Sequence, residues 1–331
     1  MQAARAPGTV ALYNSKWKIY AEWCAAKDLD PFSASVAQIA NFLDHRRSGG
    51  GLAYDTVKGY LAAISAFVPR VDDSTVFSHP RLVSYLRGVR NLQGVRNERS
   101  ASWDLPLVLN ALCSHPFEPL ESVDLKWLSV KVALLLALVS LGRVSELCAL
   151  STEGILFNPD GSKVIVYPNP SFKPKHITAR YQRVPLVLTA FHLSPSSEEE
   201  RRLHLLCPVR ALRLYLDRTA PIRRSTQVLI CHGGTGGKQG TALSSQRLSH
   251  WICEGIARAY MEAGREVPKF KAHSTRGLAA SAALYAGVSM DSVMSTAMWS
   301  SPHTFISHYL TDQSALTVAG AVLGTARRTD T

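Results

Sequence analysis

The stretch LKWLSVKVALLLALVSL, residues 125 to 141, is apolar on nearly every helical face. A helix of that kind has no side to show to water, so other elements must wrap it, and the domain that holds it needs several layers. It is not a membrane span: the apolar run from Val132 to Leu141 is roughly half of the about 20 residues a bilayer requires. No membrane partner is expected. With 331 residues the chain is longer than one core usually supports, which predicts two domains. A hydrophobic content of 46% against 19% charged residues reads as globular. The opening MQAARAPGTVALY lacks the apolar core of a secretory signal, so export is not expected. The six cysteines lie no closer than 22 positions apart, a spacing that suits neither a zinc motif nor a compact disulfide framework and points to a reducing compartment.

Pattern and turn signals divide the chain into residues 1–98, a linker over 99–103, and residues 104–331. The first part reads as four helices: Tyr13, Trp17, Tyr20 and Cys24 recur at helical spacing, Val36, Ile39 and Leu43 follow DPFSAS, and Val57, Tyr60, Leu61, Ile64 and Phe67 follow RRSGGG. The fourth runs over Pro80 to Asn97. In the second part, helices are expected over Leu105 to Cys113, Leu125 to Leu141, Glu198 to Arg218, Ser244 to Ala263, Thr275 to Ala286 and Met290 to Trp299. Two β-rich runs flank the Asn-Pro-Asp-Gly turn of GILFNPDGSKVIVYP, and YQRVPLVLTA adds a third strand. The fold class is therefore mainly α with a small antiparallel β-sheet, an α+β arrangement.

The formal net charge is +12, shared by both parts: residues 1–98 carry 12 Lys/Arg against 8 Asp/Glu, and residues 99–331 carry 25 against 17. Such an excess attracts polyanions, and two basic lobes suit a clamp.

Four stretches can carry chemistry. In SLGRVSELCAL the buried helix reaches Gly142, which can turn the chain, and then presents Arg143, with Glu146 three positions on along the same helical face. In HSTRGLAASAALYAG, Ser274 or Thr275 can cap a helix, leaving His273 and Arg276 at its N-terminus, where free N–H groups favour an anion. A ring that titrates near neutrality beside a permanent cation divides proton transfer from charge stabilisation. In MWSSPHTFISHYL, Trp299 ends a helix and Tyr309 ends a short aromatic segment; a phenol attacks only where cations and a base ease the loss of its proton. Lysines cluster in NPSFKPKHITARYQR, between two predicted strands. Each stretch alone has a plainer structural reading, as an ion pair, a cap, a core aromatic or a solvated loop charge. HGGTGGKQG fails as a phosphate loop because His232 and Gln239 stand where Gly and Ser/Thr are required. His303 and His308 are five apart and do not stack as a zinc pair, so neither metal nor cofactor is expected.

Taken in order, Arg, Lys, His-x-x-Arg, an aromatic and a terminal Tyr on a basic two-lobed chain resemble the tyrosine recombinase family, the phage-integrase type. LGRVSEL is similar to the box around its first arginine and AHSTRG to its second; Trp299 follows Arg276 by 23 residues and Tyr309 follows Trp299 by 10. EEERRLHLLCPVRALRLYLDRTA, SQRLSHWI and AHSTRG with WSSPHTF look closer still to recombinases of DIRS-type retrotransposons. The resemblance implies a helical core-binding domain over 1–98 and a catalytic domain with a C-terminal tail over 104–331. It implies a site-specific recombinase that cleaves and rejoins double-stranded DNA through a 3′-phosphotyrosyl link, without metal, and serves mobile-element integration or excision. Tyr309 would be the nucleophile, Arg143 and Arg276 would hold non-bridging oxygens, His273 would assist proton transfer, Trp299 would donate its indole N–H, and Glu146 would orient Arg143. Lys173 and Lys175 both stand in the loop of the family's lysine; Lys175 is chosen because FKPKH resembles the Phe-x-Pro-Lys of DIRS-type relatives. Many relatives carry histidine where this chain has Trp299, which keeps a donor but cannot act as acid or base. A homo-oligomer, a tetramer on DNA, is implied, with ALTVAGAVLG near the C-terminus as a docking helix, and a nuclear location if the source is eukaryotic, otherwise a cytoplasmic one with the chromosome. The alternatives are a type IB topoisomerase and a catalytically silent DNA-binding protein derived from a recombinase.

Overall fold

The computed structural model describes residue 5 and residues 7–68, 70–93, 103–174, 184–233 and 237–310. The chain forms two compact units, Met1–Asn97 and Glu98–Thr331.

The first unit is built from α1 (Pro7–Ala25), α2 (Val36–Gly50), α3 (Tyr54–Phe67) and α4 (Pro80–Gln93). Tyr20, Phe42, Leu43, Leu61, Ile64 and Leu82 are its fully buried centre. Ser35 and Gln38 close a capping box that starts α2. The RRSGGG turn signal comes late, because α2 runs through Gly49 and Gly50 and the chain reverses at Gly51, which takes the left-handed conformation. An unexpected two-residue hairpin, β1 (Arg70–Val71) with β2 (Ser74–Thr75), breaks the all-helical pattern. Asp72 and Asp73 both have positive φ, the backbone that a tight hairpin turn requires.

In the second unit α6 (Leu125–Ser140) is the central rod, buried from Leu128 to Leu138 and packed against α9 (Pro208–Thr219), α10 (Ser245–Glu262) and α11 (Ser274–Tyr285). α10 comes close enough that a Cβ on Gly255 would lie 2.9 Å from a Val130 methyl. α5 (Leu105–Ala111) packs on α10. The sheet is antiparallel in the order β3 (Leu150–Phe157), β4 (Lys163–Pro168), β5 (Leu186–Thr189), with Ile155 opposite Val166 and Val164 opposite Leu188. Val164, Val166 and Leu188 face the core.

One expected helix is two. The span Glu198 to Arg218 breaks into α8 (Glu198–Leu205) and α9, because Pro208 has no N–H to continue the ladder and instead occupies the first turn of the new helix. Of the segment assigned to a linker, residues 99–102 lie outside the described residues. Trp103 is buried in the second unit, where its indole donates to Ser274 Oγ at 3.2 Å. The C-terminal ALTVAGAVLG also lies outside the described residues.

The rod carries a charge into the core. Lys131 is fully buried and its ammonium reaches the Glu118 carboxylate and the Leu112 carbonyl, while Arg210 Nη1 binds the same carboxylate at 2.9 Å. Burial pushes the Lys131 ammonium below the usual lysine range, and Glu118 opposes that shift. Removing one member of a buried pair costs about 3–5 kcal/mol when it leaves an uncompensated charge. Glu118→Gln leaves the buried Lys131 without its anion and Arg210 with Glu121 alone, so a loss of that size is expected in urea unfolding. Lys131→Met leaves Glu118 paired with Arg210 and should cost much less.

Candidate active site

Two left-handed turns and the head of one helix bring the site residues together. α6 ends at Leu141, which is left-handed at φ 50°. Leu141, not Gly142, therefore makes the turn; Gly142 serves a close approach, since a Cβ there would lie 2.9 Å from Ser140 Oγ. Arg143 then stands at the head of the short α7 (Val144–Cys148). Glu146 holds it twice: Oε2 accepts the Arg143 backbone N–H and Oε1 pairs with Nη1, both at 2.7 Å.

α11 begins at His273. Neither expected cap operates, for the Ser274 hydroxyl donates instead to the Lys271 carbonyl at 2.7 Å and the buried Thr275 hydroxyl has no partner among the described residues. Arg276 is 1% exposed. Its Nη2 donates to the carbonyl of Ala297, which follows α12 (Met290–Thr296), and so satisfies an acceptor that a helix end leaves open. Its Nη1 lies 4.0 Å from Glu146 Oε2, so one carboxylate serves both arginines. Burial first, and the Arg143 charge second, push Arg276 down to about 10, against the pull of Glu146 and Tyr309. It stays a cation at neutral pH. Its Nε and Nη1 find no hydrogen-bond partner among the described residues.

Trp299 was expected to end a helix. α12 stops earlier, and Met298, left-handed at φ 50°, turns the chain so that the Trp299 N–H returns to the Met294 carbonyl. The indole stacks on the buried Phe305 ring at 5.0 Å and lies 4.8 Å from both the Tyr309 ring and the Arg276 guanidinium carbon. Its Nε1 is buried and likewise without a partner among the described residues. Tyr309 closes α13 (Pro302–His308), its N–H bonded to the Phe305 carbonyl at 2.8 Å. Its hydroxyl is 3.0 Å from His273 Nε2, with the rings edge to face.

Arg143, Glu146, His273, Arg276, Trp299 and Tyr309 thus form one cluster, with Arg276 and Trp299 on its buried floor and the exposed His273 at its rim. Lys173 is exposed in the loop after β4, and Lys175 lies outside the described residues. A cleft of about 300 Å³ opens beside the cluster between Glu146, Phe172, Leu186 and Met298, but its lining is mainly apolar and does not suit an anion. No group of His, Cys, Asp or Glu able to hold a metal ion occurs among the described residues.

The first unit holds a cluster that spacing did not reveal. Lys16 Nζ lies 4.0 Å from the centre of the Tyr60 ring, and Arg46 lies over the same ring with Nη2 3.3 Å from the Tyr60 hydroxyl. Neither cation makes an ion pair with an acidic group among the described residues. Burial, then the Arg46 charge, lowers the Lys16 pKa. The available signal was Lys16 interleaved with Tyr13, Trp17 and Tyr20 on one helix, a basic and aromatic alternation.

No protein-family model matches the chain, and no curated protein matches it. Solved structures do. The Tn1549 transposon integrase in complex with transposon right end DNA is 13% identical over 90% of this chain and 86% of its own, with a TM-score of 0.55. XerH site-specific recombinase, in a post-cleavage complex with a palindromic difH substrate, is 16% identical over 83% of this chain and 69% of its own, at 0.53. A lambda integrase dimer bound to a COC′ core site is 16% identical over 94% and 91%, at 0.51. At these identities the likeness is one of architecture: the mainly helical chain with small antiparallel sheets has the fold of the tyrosine recombinases and integrases.

Proposed function

We propose that this chain is a tyrosine recombinase that cleaves and rejoins duplex DNA, with Tyr309 as the nucleophile. The observation that carries the reading is a phenol hydroxyl 3.0 Å from an imidazole nitrogen, above a floor that offers a buried guanidinium and an indole N–H without partners among the described residues. A phosphodiester fits those donors. It brings two non-bridging oxygens, and its transition state concentrates negative charge where preorganised cations are worth most.

In this reading the Tyr309 oxygen attacks phosphorus, a P–O Tyr bond forms, and the bond to the 5′ oxygen breaks. His273 takes the phenol proton at Nε2, and the departing oxygen gains a proton to become a free 5′-hydroxyl. The lysine of the β4–β5 loop, Lys175 or Lys173, is the candidate donor for that second proton. Arg143 and Arg276 hold the non-bridging oxygens, and Trp299 adds its N–H. The covalent link conserves the phosphodiester, so the reverse attack reseals the strand without an energy source. The net charge of +12 and the Lys16–Tyr60–Arg46 cluster supply attraction for the backbone. Assembly as a homo-oligomer on DNA, a part in mobile-element integration or excision of the DIRS-type kind, and a nuclear site of action in a eukaryote complete the proposal.

Three outcomes test it. A nicked duplex whose cleaved fragment diffuses away should trap a covalent protein–DNA adduct; Tyr309→Phe should form none, and His273→Ala should form it about 10²–10⁴-fold more slowly. If the wild-type chain binds DNA yet yields no adduct on any nicked duplex tried, the silent DNA-binding alternative is favoured. Arg276→Met should lose cleavage while DNA affinity is largely kept; it also removes the bond to the Ala297 carbonyl, so a modest fall in melting temperature accompanies the loss. The loss of cleavage should far exceed what that destabilisation explains, whereas a residue kept for structure alone would lose activity only as far as the fold is lost. Lys16→Ala with Arg46→Ala should weaken DNA binding about equally across sequences and reduce the salt dependence of log K by about one to two units of slope, read by titration at several ionic strengths.

A further inference from the structure

Tyr309 lies along a single stripe of α11. His273, Gly277 and Ser281 are spaced by four, so they stack on one helical face. The Tyr309 hydroxyl meets the first of them and its backbone meets the other two. A Cβ on Gly277 would lie 2.8 Å from the Tyr309 carbonyl oxygen, 3.4 Å from its Cα and 3.5 Å from its carbonyl carbon. Every one of those atoms is backbone, so no side chain can rotate away to make room. Gly277 sits in regular helix and not in the left-handed region, so conformational freedom does not explain it; on helix propensity alone alanine would be the better residue. One turn on, the Ser281 hydroxyl donates to the Gly277 carbonyl at 2.8 Å and also lies 3.5 Å from the Tyr309 carbonyl oxygen.

From this contact we infer that Gly277 and Ser281 are positioning residues: they seat the Tyr309 backbone against α11 and so commit each chain's nucleophile to its own arginines and histidine. The inference rests on the reading of Tyr309 as the nucleophile. The same helix that presents His273 and Arg276 fixes how far the phenol can reach, and the spacing is set by backbone touching backbone. Displacing that seat by about 1 Å is enough to lose in-line attack, which costs on the order of 10²-fold in rate.

The test is single-turnover cleavage of the nicked duplex at saturating protein, run beside DNA affinity and thermal melting. Gly277→Ala should bind DNA as the wild-type chain does and cleave about 10- to 100-fold more slowly; Ser281→Ala should show a smaller loss of the same kind. Wild-type cleavage by Gly277→Ala would overturn the inference. Should that variant show no melting transition, mixed chains decide. Arg143→Ala chains, which keep Tyr309, are combined with Tyr309→Phe chains, which keep the pocket. A nucleophile seated in its own chain leaves the mixture without adduct, and an adduct in the mixture overturns the proposal. Failure of the wild-type chain to form any adduct would refute the nucleophile itself, a result separate from all of these.

Discussion

Everything in the second unit follows from the need to bury α6 on all sides. An all-apolar rod of this length is stable only when wrapped, and α9, α10 and α11 do the wrapping. The close packing at Gly255 leaves little slack for α10 to shift along the rod. The consequence reaches the chemistry, because the rod ends where the cluster begins. Arg143 follows its C-terminal turn, and His273 and Arg276 open a helix packed directly on it. Charged groups that must stand in fixed relation are thus mounted at the end of the close-packed rod and on a helix that packs against it.

That rigidity sustains an electrostatic conflict that a looser site would relax. Two guanidinium groups share one carboxylate, and the Arg143 charge disfavours the Arg276 cation. Glu146 offsets part of the repulsion, pairing with Arg143 at 2.7 Å but standing 4.0 Å from Arg276. The deeper arginine is the less compensated one, and two of its donors are unmatched among the described residues; each buried unmatched donor costs about 1–3 kcal/mol. Burial, with the Arg143 charge second, is what lowers the Arg276 pKa. A bound anion would relieve the repulsion and the unmatched donors at once.

What could be read from the chain and what could not differ in range. The period of α6, the alternation around the Asn-Pro-Asp-Gly turn, and charges placed beside helix ends are local patterns, and the corresponding elements form where the patterns lie. The break at Pro208 was also local, but the apolar spacing continues across it and outweighed the proline. The other departures depend on approach between distant segments. Nothing near Gly277 announces that Tyr309 will press on it, nothing near Lys131 announces Glu118, and Lys16 meets Arg46 only because α1, α2 and α3 pack together. The reversal at Leu141 was hidden for a related reason: with glycine beside it, leucine is the less expected residue to turn left-handed.

That choice can be weighed. A non-glycine residue in the left-handed region costs roughly 1–2 kcal/mol, and glycine at position 141 would avoid it. Leu141, however, is 5% exposed and belongs to the core around α6, where burying a leucine side chain is worth about 1.5–3 kcal/mol. Burial therefore equals or exceeds the backbone strain, and the turn is held by packing. Met298, the second left-handed residue at the site, is 43% exposed and has much less burial to offset its strain. The two entrances to the cluster consequently differ in kind. The Arg143 side is anchored into the core by its own turn. The Trp299 side depends on the Arg276 contact with the Ala297 carbonyl and on the Trp299–Phe305 stack. Of the two, the segment that carries the indole and the phenol is held less by its own backbone and more by the arginine it faces.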